Sequence, residues 1–209
     1  MQQFSLSANI EEGLGKGFKY IVTPNARDVA AGLIDGYRSG IHSFTVIGSY
    51  GTGKSSFLLA LEKNLLGDDS VNLLNPHTLS TNGKFEVLKM VGDYKDLASL
   101  MRDKLQIDGP ETNVLDNLRE IYGRVKKQGK FLVILIDEFG KVLEHAAKKN
   151  PEQELYFMQK LAEFVNVTTR QILLITTLHQ NFSSYARKLT DVQKEEWTKV
   201  KGRFKELVF

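Results

Sequence analysis

The chain reads as an α/β protein with a doubly wound, mainly parallel sheet. Three observations predict this. Short β-branched apolar segments alternate with segments of helical periodicity along most of the 209 residues. Phe131–Ile136 is apolar without a break, as a parallel strand covered on both faces reads. Phe44–Ile47 then runs through a glycine-rich loop straight into an amphipathic helix.

Residues 1–18 are polar and carry Gly13, Gly15 and Gly17. They read as a flexible leader, or an arm that packs on a neighbour, ahead of a core domain over 19–209. Tyr20-Ile21-Val22 is a short extended piece ending at Thr23-Pro24-Asn25. A helix is predicted from Ala26 to Arg38, with Val29, Leu33, Ile34 and Tyr37 on one side and Asn25 as N-cap. Gly40 ends it, and the strand Phe44–Ile47 follows. Phe57, Leu58, Leu61 and Leu65 form one face of a helix over Lys54–Leu66. After a turn at Gly67-Asp68-Asp69, Val71–Leu79 reads as a second strand broken by Pro76. Ser80–Gly83 is another turn, and Lys84–Val91 reads as a strand on the sheet edge.

Two helices come next. Asp93–Leu105 places Leu97, Leu100, Met101 and Leu105 in register, and Asn113–Lys127 does so with Leu115, Leu118, Ile121, Tyr122 and Val125. Gly129 closes the second. Beyond Phe131–Ile136, Glu152–Val165 is helical, with Leu155, Met158, Leu161, Ala162 and Val165 facing in. Gln171–Thr177 is a further buried strand. Ser184–Lys201 reads as one charged amphipathic helix, and Lys205–Phe209 begins a last strand. No repeat or low-complexity linker interrupts the pattern.

Bulk properties narrow the classes. The chain carries 28 basic and 25 acidic residues, a net of +3, which does not by itself argue for nucleic acid. No block of like charge forms a binding tail. With no cysteine, disulfides and thiolate metal sites are excluded and a reducing compartment is permitted. His42, His77, His145 and His179 show no metal-ligand spacing. Met1–Ile10 lacks the charged and apolar regions of a signal peptide. Phe131–Ile136, the longest apolar run, is too short to cross a bilayer. A soluble, cytoplasmic protein with no membrane partner is expected.

The chemistry gathers on Gly48-Ser49-Tyr50-Gly51-Thr52-Gly53-Lys54-Ser55, which fits G-x-x-x-x-G-K-[ST], the phosphate-cradling Walker A loop. Glycines let backbone N–H groups turn inward with no Cβ in the way. The helix that follows, opening with Lys54, Ser55 and Ser56, points its positive end at the phosphates. Lys54 would reach the β- and γ-phosphates, and the Ser55 hydroxyl would hold Mg²⁺. Read blandly, the stretch is a chance glycine-rich turn; the full motif between strand and helix argues otherwise.

Asp137-Glu138 directly follows the most apolar strand, the Walker B pattern. The aspartate can hold the Mg²⁺ shell, and the glutamate can orient or deprotonate a water for attack on the γ-phosphate. An acidic pair opening a loop is common, so the weight comes from its pairing with Walker A. Asp137-Glu138-Phe139-Gly140 also fits the D-x-x-G of GTPases, but no [N/T]-K-x-D guanine clamp accompanies it, which favours ATP by elimination. A kinase's phosphate-acceptor site and arginine-rich lid are not visible, and the L-S-G-G-Q loop of transporter ATPases is absent.

In the sheet order expected, the strand 171–177 lies between the two motif strands. Thr176, Thr177 and His179 are therefore candidates to sense the γ-phosphate, because a one-residue register error flips the face; Thr177 is preferred. Strand-end capping is their ordinary alternative. Arg203, after the last long helix, could be held toward a neighbouring subunit's nucleotide, or simply favour the helix dipole. Arg170 and Arg187 are weaker candidates.

At these residues the chain resembles the AAA+ ATPases and their relatives, the STAND-type NTPases, over roughly residues 18–209. The resemblance implies a three-layer α/β/α P-loop NTPase core with a mainly parallel five-stranded sheet of order 5-1-4-3-2. It places Thr176-Thr177 where sensor 1 belongs, Gly202-Arg203-Phe204 where the arginine finger closes the fourth helix, and Tyr20–Pro24 where the adenine-contacting segment lies. His179–Phe182, Tyr185-Ala186 and Glu196-Trp197 through Phe204 also resemble a segment of large bacterial ATPases linked to defence against phage. One departure is plain: the family's helical lid follows the fifth strand, and this sequence stops at Phe209. An excised core, or a lid supplied from elsewhere, would explain it.

The function expected is a Mg²⁺-dependent ATPase core that turns hydrolysis into conformational change, with a homo-oligomer or partner subunits as the assemblies to consider. The rivals are a nucleotide-gated binding switch with little turnover and a DNA-handling motor using Lys126, Lys127, Lys148, Lys149, Lys199 and Lys201.

Overall fold

In a computed structural model, residues 9–12, 20–107 and 114–209 are described. Among these, five strands form one sheet, in which every pairing is parallel. They are β1 (Ser43–Ile47), β2 (Phe85–Val91), β3 (Phe131–Asp137), β4 (Ile172–Leu178) and β5 (Lys205–Val208). Their order is β2-β3-β4-β1-β5. Read from the other edge, that is the expected 5-1-4-3-2.

The sequence sorts these strands by burial. Every residue of β3 and β4 is buried, while the edge strands β2 and β5 are mostly half-exposed. The continuous apolar runs therefore take the centre, where both faces are covered. Each Leu or Ile buried there contributes about 1.5–3 kcal/mol relative to exposure.

Helices cover both faces. On one side, α1 (Pro24–Arg38) and α2 (Lys54–Leu65) pack with Phe44, Val46, Val133, Leu135, Leu173 and Ile175. On the other, α3 (Leu97–Leu105), α4 (Val114–Lys127), α5 (Phe139–Lys148), α6 (Pro151–Val165) and α7 (Asp191–Lys201) pack against Leu132, Ile134, Ile136, Ile172, Leu174 and Leu178. Period-two alternation along each central strand makes this split.

Several expectations are corrected. Val71–Leu79 is not a strand. Asn64 on α2 donates to the Val71 carbonyl at 2.9 Å and accepts from the Leu74 N–H at 2.9 Å. One buried amide thus satisfies backbone that would otherwise need a ladder. Asn75 then caps a 3₁₀ turn at Pro76–Thr78. Ser184–Lys201 is two pieces. Asn181 caps a 3₁₀ turn at Phe182–Ala186, and α7 restarts at Asp191 behind a Thr190–Gln193 capping box. Tyr20–Val22 joins no strand. Thr23, not Asn25, caps α1, accepting from the Ala26 N–H at 3.2 Å, and α3, capped by Asp96, starts at Leu97, four residues later than the expected Asp93. The unassigned stretch after Glu138 is helix α5.

The leader expected over 1–18 falls mostly outside the described residues. Within it Ile10 is fully buried on the α1/α2 side, and Glu11 pairs with Lys104 at 3.3 Å.

Candidate functional site

β1 and β4 are neighbours, yet the chain leaves them toward opposite faces: to α2 from β1, and to the 182–186 turn and α7 from β4. A crevice at the carboxyl ends of such strands is where open parallel sheets bind ligands. The loop 48–53 lies there, tied to β4 by the Gly48 N–H, which donates to the Leu178 carbonyl at 3.1 Å.

Gly53 has φ +98°, a left-handed conformation that side chains with a Cβ resist, and it stands at the N-cap of α2 with no side-chain cap. The first-turn N–H groups of α2 are thus left to an anion. Thr52 closes the loop through its hydroxyl, donating to the Ser49 carbonyl at 2.9 Å. The Lys54 ammonium donates to the Gly48 carbonyl at 2.6 Å and the Ser49 carbonyl at 2.9 Å. Burial lowers its pKa, and the charges of Asp137 and Glu138 act against that shift. The lysine and both carboxylates therefore belong to one electrostatic site. Ser55 and Ser56 sit half-buried in the first turn of α2.

Asp137 ends β3 at 3% exposure. Its Oδ1 accepts from the Thr177 hydroxyl at 2.5 Å and the Glu138 N–H at 3.0 Å. Its Oδ2 accepts no hydrogen bond among the described residues. Thr177 Oγ1 accepts from the same Glu138 N–H at 3.0 Å. Glu138 adopts φ +51° and starts α5, and its exposed carboxylate pairs with Lys141, whose pKa is raised by that hydrogen bond. Thr176 faces the other way, fully buried against Thr45 Oγ1 at 3.1 Å and the Phe44 carbonyl at 3.2 Å. His179, one residue beyond β4, stacks on the Tyr50 ring with centroids 4.6 Å apart.

Chemically, this is a cup of N–H donors and one ammonium facing a buried carboxylate and an exposed one. Among the described residues no group of three or more His, Cys, Asp or Glu could hold a metal. Hydroxyl plus carboxylate nevertheless suits Mg²⁺, a hard cation that completes its shell with water and phosphate oxygen.

Solved structures with the same architecture carry low sequence identity. The chain matches the ORC2 protein of Aeropyrum pernix, in a structure of its ADPNP-ADP complexes, with TM-score 0.53 at 16% identity, covering 93% of this chain and 50% of that one. The ADP form of the same protein gives TM-score 0.53 at 17% identity, covering 93% and 51%. Cdc6p of Pyrobaculum aerophilum gives TM-score 0.51 at 15% identity, covering 92% and 48%. The likeness is one of fold. The chain spans about half the length of these structures. No family model and no curated protein matches it.

The fold keeps the remaining candidates apart from the cup. Arg203 lies at the opposite end of the sheet, where its carbonyl accepts from Ser43 Oγ at 2.6 Å at the start of β1. Its guanidinium donates to Glu163 Oε1 at 2.8 Å and the Lys199 carbonyl at 2.9 Å. Bonds from Gln159, Arg203 and Lys160 hold the Glu163 pKa down at about 2. Arg170 lies over the Phe164 ring, 4.0 Å from its centroid. Tyr20 packs half-buried on the α1/α2 side, and burial raises its pKa.

Two glycines crowd the site, of which the motif search named only Gly140, as the glycine of the D-x-x-G match. Gly92, just after β2, donates to the Asp137 carbonyl at 2.7 Å, and a Cβ there would collide with the Glu138 carbonyl. A Cβ on Gly140 would collide with the Tyr185 hydroxyl. The only sequence signal for Gly92 is a glycine where nothing local requires one. No helix among the described residues is long and apolar enough to cross a membrane.

Proposed function

We propose that this chain is the nucleotide-binding core of a Mg²⁺-dependent ATPase that couples hydrolysis to conformational change. The observation that carries it is the meeting of Lys54, Asp137 and Glu138 at one crevice. The backbone cup and Lys54 bind the phosphate chain of ATP. Ser55 and Asp137 would hold Mg²⁺, which when bound neutralises charge on the phosphates. Thr177 fixes the Asp137 carboxylate. Glu138, once it parts from Lys141, takes the proton of the attacking water. Tyr20 is assigned to the base. The ADP and ADPNP named for the Aeropyrum pernix structures support this choice of ligand.

Arg203 completes a neighbouring copy's site in this reading, exchanging Glu163 for that copy's nucleotide. Of the lysines considered for DNA, Lys148 lies 5.3 Å over the Tyr94 ring, Lys199 pairs with Glu196 at 2.6 Å and Lys201 bonds to Ser183 at 3.2 Å. They stand on different helices, so the DNA-motor reading gains no support from them.

Titration calorimetry with Mg·ATP tests the proposal. Heat of binding that disappears in Lys54→Ala is expected, and a chain that gives no heat overturns it. Turnover measured against protein concentration separates the assembling ATPase from the switch, whose slow rate stays flat.

A further inference from the structure

We propose that Tyr50, His179 and Tyr185 form a relay that carries the difference between a bound nucleoside triphosphate and a diphosphate from the glycine loop to Trp197. The inference rests on the nucleotide-binding reading above and adds a route out of the site.

The relay spans the crevice. Tyr50 belongs to the loop after β1, and His179 follows β4. Their rings stack with an interplanar angle of 21°, although Tyr50 is 79% exposed. The stacking on His179 is the ring contact of Tyr50 among the described residues, and an aromatic pair contributes only about 0.5–1.5 kcal/mol beyond area burial. A hydrogen bond from the imidazole to a phosphate oxygen can replace it.

His179 is free to make that bond, whereas its neighbours are not. Thr176 is committed to Thr45 and Phe44, and Thr177 to Asp137 and Glu138. The Tyr185 hydroxyl lies 3.2 Å from His179 Nδ1 and also bonds the Gln180 side chain. The same hydroxyl lies 3.5 Å from Nε2; with Gln180 donating, the Tyr185 proton goes to one ring nitrogen, and in the neutral ring the other nitrogen carries the proton as a donor. Gly140, two residues past Glu138, leaves room for this pair: a Cβ there would meet the Tyr185 hydroxyl and the His179 ring.

Movement of His179 cannot stay local. Tyr185 sits in the 182–186 turn at 7% exposure. In the same turn the Phe182 carbonyl accepts from Trp197 Nε1 at 3.0 Å, and the two rings lie 5.4 Å apart. Close-packed interiors transmit such shifts. Trp197 is the single tryptophan of the sequence, so its emission reads the turn directly.

The experiment records Trp197 emission with Mg·ATP and with Mg·ADP, each at a concentration that calorimetry shows to be saturating. In the unaltered chain the two nucleotides should give different emission. In Tyr50→Ala, an exposed site that does not threaten folding, and in His179→Gln, that difference should vanish. If both nucleotides bind with heat but give the same emission in the unaltered chain, or if the difference survives both substitutions, the relay is overturned and the nucleotide site stands. If neither gives heat, the nucleotide reading falls and the relay with it.

Discussion

The Thr177 hydroxyl donates to Asp137 Oδ1 at 2.5 Å, and both groups are almost fully buried. A single hydrogen bond therefore ties the end of β4 to the residue that would hold the metal. A hydrogen bond to an ionised group contributes about 1.5–3 kcal/mol, and Asp137 would otherwise keep only the Glu138 N–H. Thr177→Val should lower stability by about that amount in urea unfolding and reduce ATP turnover. Thr177→Ser should restore both. Unchanged turnover in the valine variant would show that Asp137 needs no help from β4.

Glu138 offers the exposed carboxylate of the site, paired with Lys141. General-base catalysis is typically worth 10²–10⁴-fold. Glu138→Gln should lose turnover on that scale while Mg·ATP still binds by calorimetry. Normal hydrolysis in this variant would remove Glu138 from the mechanism.

Gly92 and Gly123 form a matched pair. Gly92→Ala forces a Cβ onto the backbone of Glu138 and should cost about 1–3 kcal/mol, with a fall in turnover because Glu138 moves. Gly123 lies inside α4 with nothing within 4 Å of a built Cβ, so Gly123→Ala should stabilise by roughly 0.5–1 kcal/mol. Thermal melts of the two variants should move in opposite directions.

His42 sits at 1% exposure against Tyr37, with Nδ1 unpaired among the described residues. Burial lowers its pKa from 6.5, and a hydrogen bond with the Val165 backbone opposes the shift. The folded chain thus takes up a proton here less readily than the unfolded chain. The contribution is fully present above pH 6.5 and is lost as pH falls from there through the lower folded value. Urea midpoints should drop between neutral pH and pH about 5. His42→Phe should flatten that part of the slope.

Arg203 makes its ion pair with Glu163 partly in solvent, and such pairs contribute up to about 1 kcal/mol. Arg203→Ala should therefore melt close to the parent. If the residue serves a neighbour, the variant should also lose the part of turnover that rises with protein concentration, by 10³–10⁵ for a full arginine finger. Retention of that part would leave Arg203 as a helix-end arginine bonded to the Lys199 carbonyl.

Errors in reading the sequence have identifiable causes. Val71–Leu79 has strand composition, but Asn64, the next-to-last residue of α2, supplies its hydrogen bonds from a distance no local pattern reveals. The break before α7 was visible, since Thr190-x-x-Gln193 is a capping box, yet continuous amphipathicity masked it. Helix α5 hid because its N-cap, Glu138, uses a left-handed backbone and no capping hydrogen bond.

The sequence alone determined the chemistry of the cup and the sheet that bears it. Gly48–Ser55 and the apolar run into Asp137 are local patterns, and local backbone physics turns them into a strand, a tight loop and a helix end. Only the tertiary structure decided how the polar groups beyond them are spent. Thr176 and Thr177 differ by one position yet face opposite layers, one closed into the core and one on Asp137. Arg203 is bonded to Glu163, forty positions away in sequence. Partners of that kind are set by strand register and helix packing, because a side chain's alternatives exist only once the neighbouring layers are in place.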